Sequence, residues 1–260
     1  MRIAEVISAL ERFAPLPLQD GYDNAGLQVG LTDAEVTGAL LCLDVTEDVL
    51  DEAHSLGFNL VVSHHPLLFH GLKQISGRNN VERCVMKAIS QGITVCSMHT
   101  NMDNVAGGVS FKMAEKLGLE SVVFLQQTSD EAGAGVIGTL PDGGMKDADF
   151  LQRVKDVFHV GCVLHTQTTD GHRVKRVALC GGAGAFLIPE AVAAGADAFV
   201  TGEIKYHEFL DHSGDIVLAA IGHYESEQYT TEIFERIIRS EFPALPVQIT
   251  GVMTNPIKYL

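Results

Sequence analysis

Apolar positions along the chain alternate between two rhythms. Ile3, Val6, Ile7 and Leu10 recur at helical spacing and predict an N-terminal helix. Leu41-Cys42 closes a short apolar run, and Val49, Leu50, Ala53 and Leu56 then mark one helix face, with Thr46 at its N-cap and Glu47 and Asp48 in its first turn. Gly57 reads as the turn after that helix, and Phe58-Asn59-Leu60-Val61-Val62 as the next strand. The pattern continues with Val81, Cys84, Val85, Ala88 and Ile89 as a helix, Ile93 to Met98 as a buried strand, and a helix from about Val105 to Leu117.

The same pattern returns 138 residues later. Leu41-Cys42 maps onto Leu179-Cys180, and Val49, Leu50, Ala53 and Leu56 map onto Leu187, Ile188, Ala191 and Ala194. Gly57 maps onto Gly195, and Asn59–Ser63 onto Asp197–Thr201, with no gap over some twenty residues. Ile216 to Ile221 predicts the following strand, and Ile233, Phe234, Ile237 and Ile238 the helix after it. Residues 122–173 differ. Strands are expected at Val122–Gln126, Gly135–Leu140 and Val163–Thr168, a helix at Ala148–Phe158, and a hairpin turn at Thr169-Asp170-Gly171-His172. The expected fold is therefore α/β, with two similar α/β halves, mainly parallel sheets, and a site between them at the strand C-terminal ends. The expected domains are 1–121 and 122–260, with the C-terminal segment returning to complete the site.

Strand ends carry the chemistry. Ser63-His64-His65-Pro66 follows the second strand, His99-Thr100-Asn101-Met102-Asp103 the third, and His223-Tyr224-Glu225-Ser226-Glu227 the matching strand of the second half. Adjacent histidines at the exit of a buried strand are poor packing material, and three strand ends together supply His64, His65, Asp103, His223 and Glu227. His223 and Glu227 are four apart and share a helix face, whereas Glu225 is expected to point into solvent. Imidazole with carboxylate suits Zn, Mn, Fe, Ni or Co. Five such donors exceed one tetrahedral ion with an open position and fit two ions, with Glu227 or Asp103 as the bridge. His99 and Glu203 are candidate catalytic proton carriers, Glu203 and His207 stand at i, i+4, and Asp44 reads as a supporting residue or a helix entry. Gly181-Gly182-Ala183-Gly184 lacks the last glycine of a dinucleotide loop and reads as a tight turn. His54, His70, His159, His165, His172 and His212 show no ligand spacing.

Composition narrows the class. The chain is 260 residues long, 46% hydrophobic and 20% charged, an ordinary globular balance. No apolar run approaches membrane-span length, and the acid-containing start does not read as a secretory signal. A formal net charge of −15 opposes non-specific attraction to nucleic acid or an anionic membrane. The five cysteines form no C-x-x-C pair, and Cys42, Cys96 and Cys180 sit in strand-like runs, so a reducing cytoplasm is expected.

Ser63–Phe69, His99–Asp103 and Gly222–Glu227, together with Asp23–Gly30 and Thr201–Ile204, resemble the motifs of the Nif-three-like proteins, the GTP cyclohydrolase 1 type 2 homologues. Tyr22 stands where many members carry tryptophan. The resemblance spans almost the whole chain, with residues 126–173 matching least. It implies a dinuclear centre on His64, His65, Asp103, His223 and Glu227 holding two divalent ions per subunit. It also implies a toroidal homohexamer built as a trimer of dimers. The expected activity is hydrolysis of a small molecule, a nucleotide or related ring, by metal-activated water. A metal-dependent phosphoesterase and a non-enzymatic metal-binding or regulatory scaffold are the alternatives.

Overall fold

A computed structural model describes residues 1–169 and 171–260. Asp170, in the expected hairpin turn, lies outside the described residues; of that turn, His172 N–H donates to the Thr169 carbonyl. The chain divides into two compact units. The first is Met1–Met102 with Thr230–Pro256, the second Asp103–Tyr229 with Ile257–Leu260. This division differs from a cut at 121/122, for two packing reasons. The helix Val109–Leu117 lies on the second sheet, and the helix Thr230–Glu241 packs on the N-terminal helix Ile3–Phe13.

The first unit holds strands β1 (Gly26–Val29), β2 (Ala39–Cys42), β3 (Leu60–Ser63), β4 (Thr94–Ser97) and, from the returning segment, β13 (Val247–Ile249). They form one sheet in the order β1-β4-β3-β2-β13. β13, β2, β3 and β4 run parallel, and β1 is antiparallel at the edge. Every residue of β2, β3 and β4 is buried, as expected where helices cover both faces of a parallel sheet. Leu40, Cys42, Val61 and Val95 lie under Val49, Leu50 and Ala53 of helix Glu47–Ser55 and Cys84, Val85 and Ala88 of helix Asn80–Gln91. Thr46 caps the first of these, its hydroxyl accepting from Val49 N–H at 3.3 Å. Asn79 caps the second, accepting from Glu82 N–H at 2.9 Å. The result is that β3 and β4 end side by side, Val62 opposite Cys96 and Ser63 opposite Ser97.

The second unit holds β5 (Glu120–Gln127), β6 (Gly133–Thr139), β7 (Met145–Lys146), β8 (Leu164–His165), β9 (Arg173–Val174), β10 (Arg176–Cys180), β11 (Ala198–Thr201) and β12 (Val217–Ala220). Its main sheet runs β5-β6-β10-β11-β12-β8, with β7 and β9 pairing separately. Only β10, β11 and β12 are mutually parallel. The β5–β6 hairpin joins β10 antiparallel, and β8 joins β12 antiparallel. This sheet is therefore more mixed than the strand–helix alternation suggests, because segments between the repeat copies add strands at both edges. Alternate residues serve two cores. Val177, Leu179, Val200 and Ala219 pack with Phe150, Val154 and Phe158 of the 147–158 helical segment, while Ala178, Cys180, Phe199 and Leu218 pack with Leu187, Ile188 and Ala191. The turns at the repeated positions match: Gly57 has φ 70° and Gly195 φ 68°, a left-handed conformation costly for a residue with a Cβ. The fold is mixed α/β. Among the described residues, no helix is long and apolar enough to cross a membrane.

Candidate metal centre

In the first unit the double histidine leaves β3 with its backbone still held. His64 N–H donates to the Cys42 carbonyl at 3.2 Å and His65 N–H to the Leu43 carbonyl at 3.0 Å. The Ser63 hydroxyl donates to the His65 carbonyl at 2.9 Å and lies 2.7 Å from the Ser97 hydroxyl, tying the ends of β3 and β4 together. His99 follows β4 closely, so its ring meets the other two. The His64–His65, His64–His99 and His65–His99 ring centroids are 5.0, 5.3 and 5.5 Å apart.

Each of these rings is oriented through Nδ1. His64 Nδ1 lies 2.9 Å from the Met98 carbonyl, His65 Nδ1 2.7 Å from Asp44 Oδ1, and His99 Nδ1 2.7 Å from Asp23 Oδ1. A carbonyl or carboxylate only accepts, so the proton sits on Nδ1 and the neutral ring carries its lone pair on Nε2. That arrangement is the usual support of a metal-ligating histidine. One nitrogen from each of His64, His65 and His99 lies within 4.8 Å of those of the other two. His64 is fully buried.

The supporting carboxylates are themselves shaped by these contacts. Burial would raise the Asp44 carboxyl, but the hydrogen bonds from His65 and from the Thr254 hydroxyl at 3.1 Å hold it below its ordinary range. Burial opposes ionisation of Asp23 likewise. Bonds from His99, the Thr100 hydroxyl and the Asn24 N–H outweigh it and hold the carboxyl down at about 2. Asp23 thus has a structural task that spacing could not reveal, since 76 residues separate it from His99.

The second unit carries the acidic candidates. Asp103 closes the short helix Thr100–Asp103, and His223 opens the helix His223–Glu227. The i, i+4 spacing brings His223 Nε2 to 3.2 Å from Glu227 Oε2, and Glu227 is buried. His223 Nδ1 lies 3.0 Å from Glu203 Oε1, so this ring too is held through Nδ1 by an acceptor. Glu203, expected as a proton carrier, has one oxygen engaged in orienting His223, and its side chain is 61% exposed. Burial raises the Cys180 thiol strongly, and the charges of Asp103 and Glu227 push the same way.

The Gly181–Gly184 turn has a specific reason for its glycines. At Gly182, φ is +61° and a Cβ would stand 2.3 Å from Glu227 Oε1 and 3.4 Å from His223 Cε1. Gly182 N–H donates to the Ser226 hydroxyl at 2.9 Å, and its carbonyl accepts from Glu203 N–H at 3.2 Å. The turn is therefore the floor under His223 and Glu227 rather than a phosphate loop, a role the motif alone did not reveal. Glu225 departs from expectation: it is buried rather than solvated, because Gly222 at φ 96° lets its carboxylate fold back where a Cβ would sit 2.1 Å away. His207 stays exposed beside Tyr206. Among the other histidines, His165 bonds the Thr166 carbonyl, His172 bonds Asp147, and His212 lies near Asp215.

The model of one protein family, Duf34/NIF3 (NGG1p interacting factor 3), matches residues 1–256. The chain belongs to this family. Proteins named GTP cyclohydrolase 1 type 2 homolog are among the NIF3 relatives of this chain. That of Streptococcus pneumoniae is 33% identical over 228 residues, covering 86% of this chain and 85% of its own. That of Lactococcus lactis is 32% identical over 261 residues, covering 98% of each. A Staphylococcus aureus crystal structure superposes with a TM-score of 0.91 at 27% identity, covering 100% of this chain and 99% of its own. Reduced HcgD from Methanocaldococcus jannaschii superposes at 0.80 with 25% identity, over 97% and 98% of the two chains. Clusters of His, Asp and Glu in this NIF3 chain could hold metal, and the donor set fits a borderline divalent ion.

Proposed function

We propose that this NIF3-family protein is a hydrolase with a dinuclear metal centre, acting on GTP or a related nucleotide ring. The ligands would be His64, His65, Asp103, His223 and Glu227, which stand at strand C-terminal ends. The observation that carries this reading is the shared support of the imidazoles: His64, His65 and His223 each have Nδ1 against a fixed acceptor. His165 and His172 are also held through Nδ1, and what sets these three apart is that each belongs to a group of donor atoms lying within 4.8 Å of one another. Two divalent ions (Zn, Mn, Fe, Ni or Co) would supply Lewis acidity and make bound water acidic enough to attack near neutral pH.

The chain's own residues then have distinct tasks. The Met98 carbonyl and Asp44 fix ring orientation and place the lone pair of His64 and His65 on Nε2, and Glu203 holds the His223 ring through Nδ1. Glu227 and Asp103 supply negative charge, and one of them would bridge. Glu203 reaches solvent, so its second oxygen is the proposed proton carrier for the leaving group. If the substrate is GTP, one water adds at C8 of the guanine ring and opens the imidazole to a formamide, and a second water hydrolyses that formamide to release formate. We also propose a cytoplasmic homohexamer, a toroidal trimer of dimers. In solution it would have six times the 28.0 kDa chain mass.

The test is a formate-release assay with GTP and metal-loaded protein. Release that disappears in His64→Ala and Glu227→Ala supports the reading. No release, or release unchanged in both variants, overturns the cyclohydrolase activity.

A further inference from the structure

The ligand set implied by the resemblance leaves out His99, yet the geometry treats His99 as an equal of His64 and His65. Its ring centroid is 5.3 and 5.5 Å from theirs, and its side chain is only 15% exposed. Its Nδ1 is anchored at 2.7 Å on Asp23, the same distance at which His65 is anchored on Asp44. The three rings bring donor nitrogens within 4.8 Å of one another. Two nitrogens at about 2.0–2.1 Å from a tetrahedral ion stand roughly 3.4 Å apart, so a small closure suffices.

We propose that His99 is a direct metal ligand through Nε2, completing a three-histidine donor set with His64 and His65, and that Asp23 is the residue positioning it. This rests on the metal-centre reading above and adds a donor to it. The cation class is a borderline ion that accepts several imidazoles, such as Zn2+, Co2+ or Ni2+. Asp23 is well suited to its task. Its side chain is fully buried, one oxygen holds His99, and the other accepts from the Thr100 N–H at 3.0 Å and from the Thr100 hydroxyl. The carboxylate is thereby held on both oxygens, and the His99 ring cannot turn without losing its bond to Asp23 Oδ1.

Titration of the full chain with Co2+, followed by visible absorption and chelator competition, tests this. The wild type should show ligand-field bands, and His99→Ala should weaken one ion at least tenfold and shift those bands. Asp23→Asn should weaken the same ion about 10- to 100-fold with the band positions retained, and Asp23→Glu should recover part of the loss. If His99→Ala does not fold by circular dichroism, His99→Gln replaces it. Affinity and spectrum unchanged by substitution of His99, while His64→Ala abolishes binding, would overturn the inference and leave the metal centre standing. A wild-type chain that takes up no Co2+ would overturn both.

Discussion

At the scale of single residues, the site depends on small groups as much as on donors. Gly182 is one: its left-handed backbone and the closeness of Glu227 Oε1 leave no room for a methyl group. Gly182→Ala should cost at least about 1–2 kcal/mol by urea denaturation and also weaken metal binding, because Glu227 must move. Histidine spacing could not show this, and the glycine-rich motif read only as a tight turn. The proposed donors were legible as His and Asp/Glu at strand ends. Their anchors Asp23 and Met98 were not, because those contacts join residues 76 and 34 apart in the chain. Cysteines behave as the patterning implied. Burial pushes the Cys84 thiol to about 11 and the Cys96 thiol to about 12, raises Cys42 and Cys180 further, and leaves Cys162 exposed. Brief alkylation of the native protein at pH 8 should label Cys162 alone by mass spectrometry, and all five cysteines after denaturation. Native labelling of Cys96 would contradict the buried strand.

At the scale of elements, periodicity located helices and strands well where both faces are buried. β2, β3, β10 and β11 all fall on the repeated apolar runs, and the helix expected at Ala148–Phe158 is found at Asp147–Val157. Pairing was less legible. A strand's own alternation says which face is buried but not which neighbour it joins, so the antiparallel additions of β6 and β8 to the second sheet needed the structure. The helix Asn80–Gln91 depends on Glu82, whose carboxylate accepts from Arg78 N–H, Ser76 N–H and the Ser76 hydroxyl at 3.0, 2.8 and 2.9 Å. Those bonds, the Arg78 backbone contact foremost, hold its carboxyl below the ordinary glutamate range. A lowered folded-state value means the contribution is fully present above the unfolded value of about 4.3 and is lost as pH falls through the folded one. Stability measured from pH 6 down to pH 2 should therefore fall less steeply in Glu82→Gln than in the wild type. Parallel curves would exclude this role.

At the scale of the whole molecule, the sequence resemblance, the family match and the structure converge on one family, whereas assembly and substrate stand as proposals. The repeat made strand ends the place to look, and that reasoning singled out His64, His65, Asp103, His223 and Glu227 as candidate ligands. Grouping them into a centre of two ions is the central claim, and counting ions tests it most directly. The full chain is loaded with Mn2+, passed through a desalting column, and its metal is measured by inductively coupled plasma mass spectrometry against protein concentration. The account predicts two ions per chain, falling to one or none in Glu227→Ala. A wild-type ratio of one or below, or a ratio unchanged by Glu227→Ala, would contradict it.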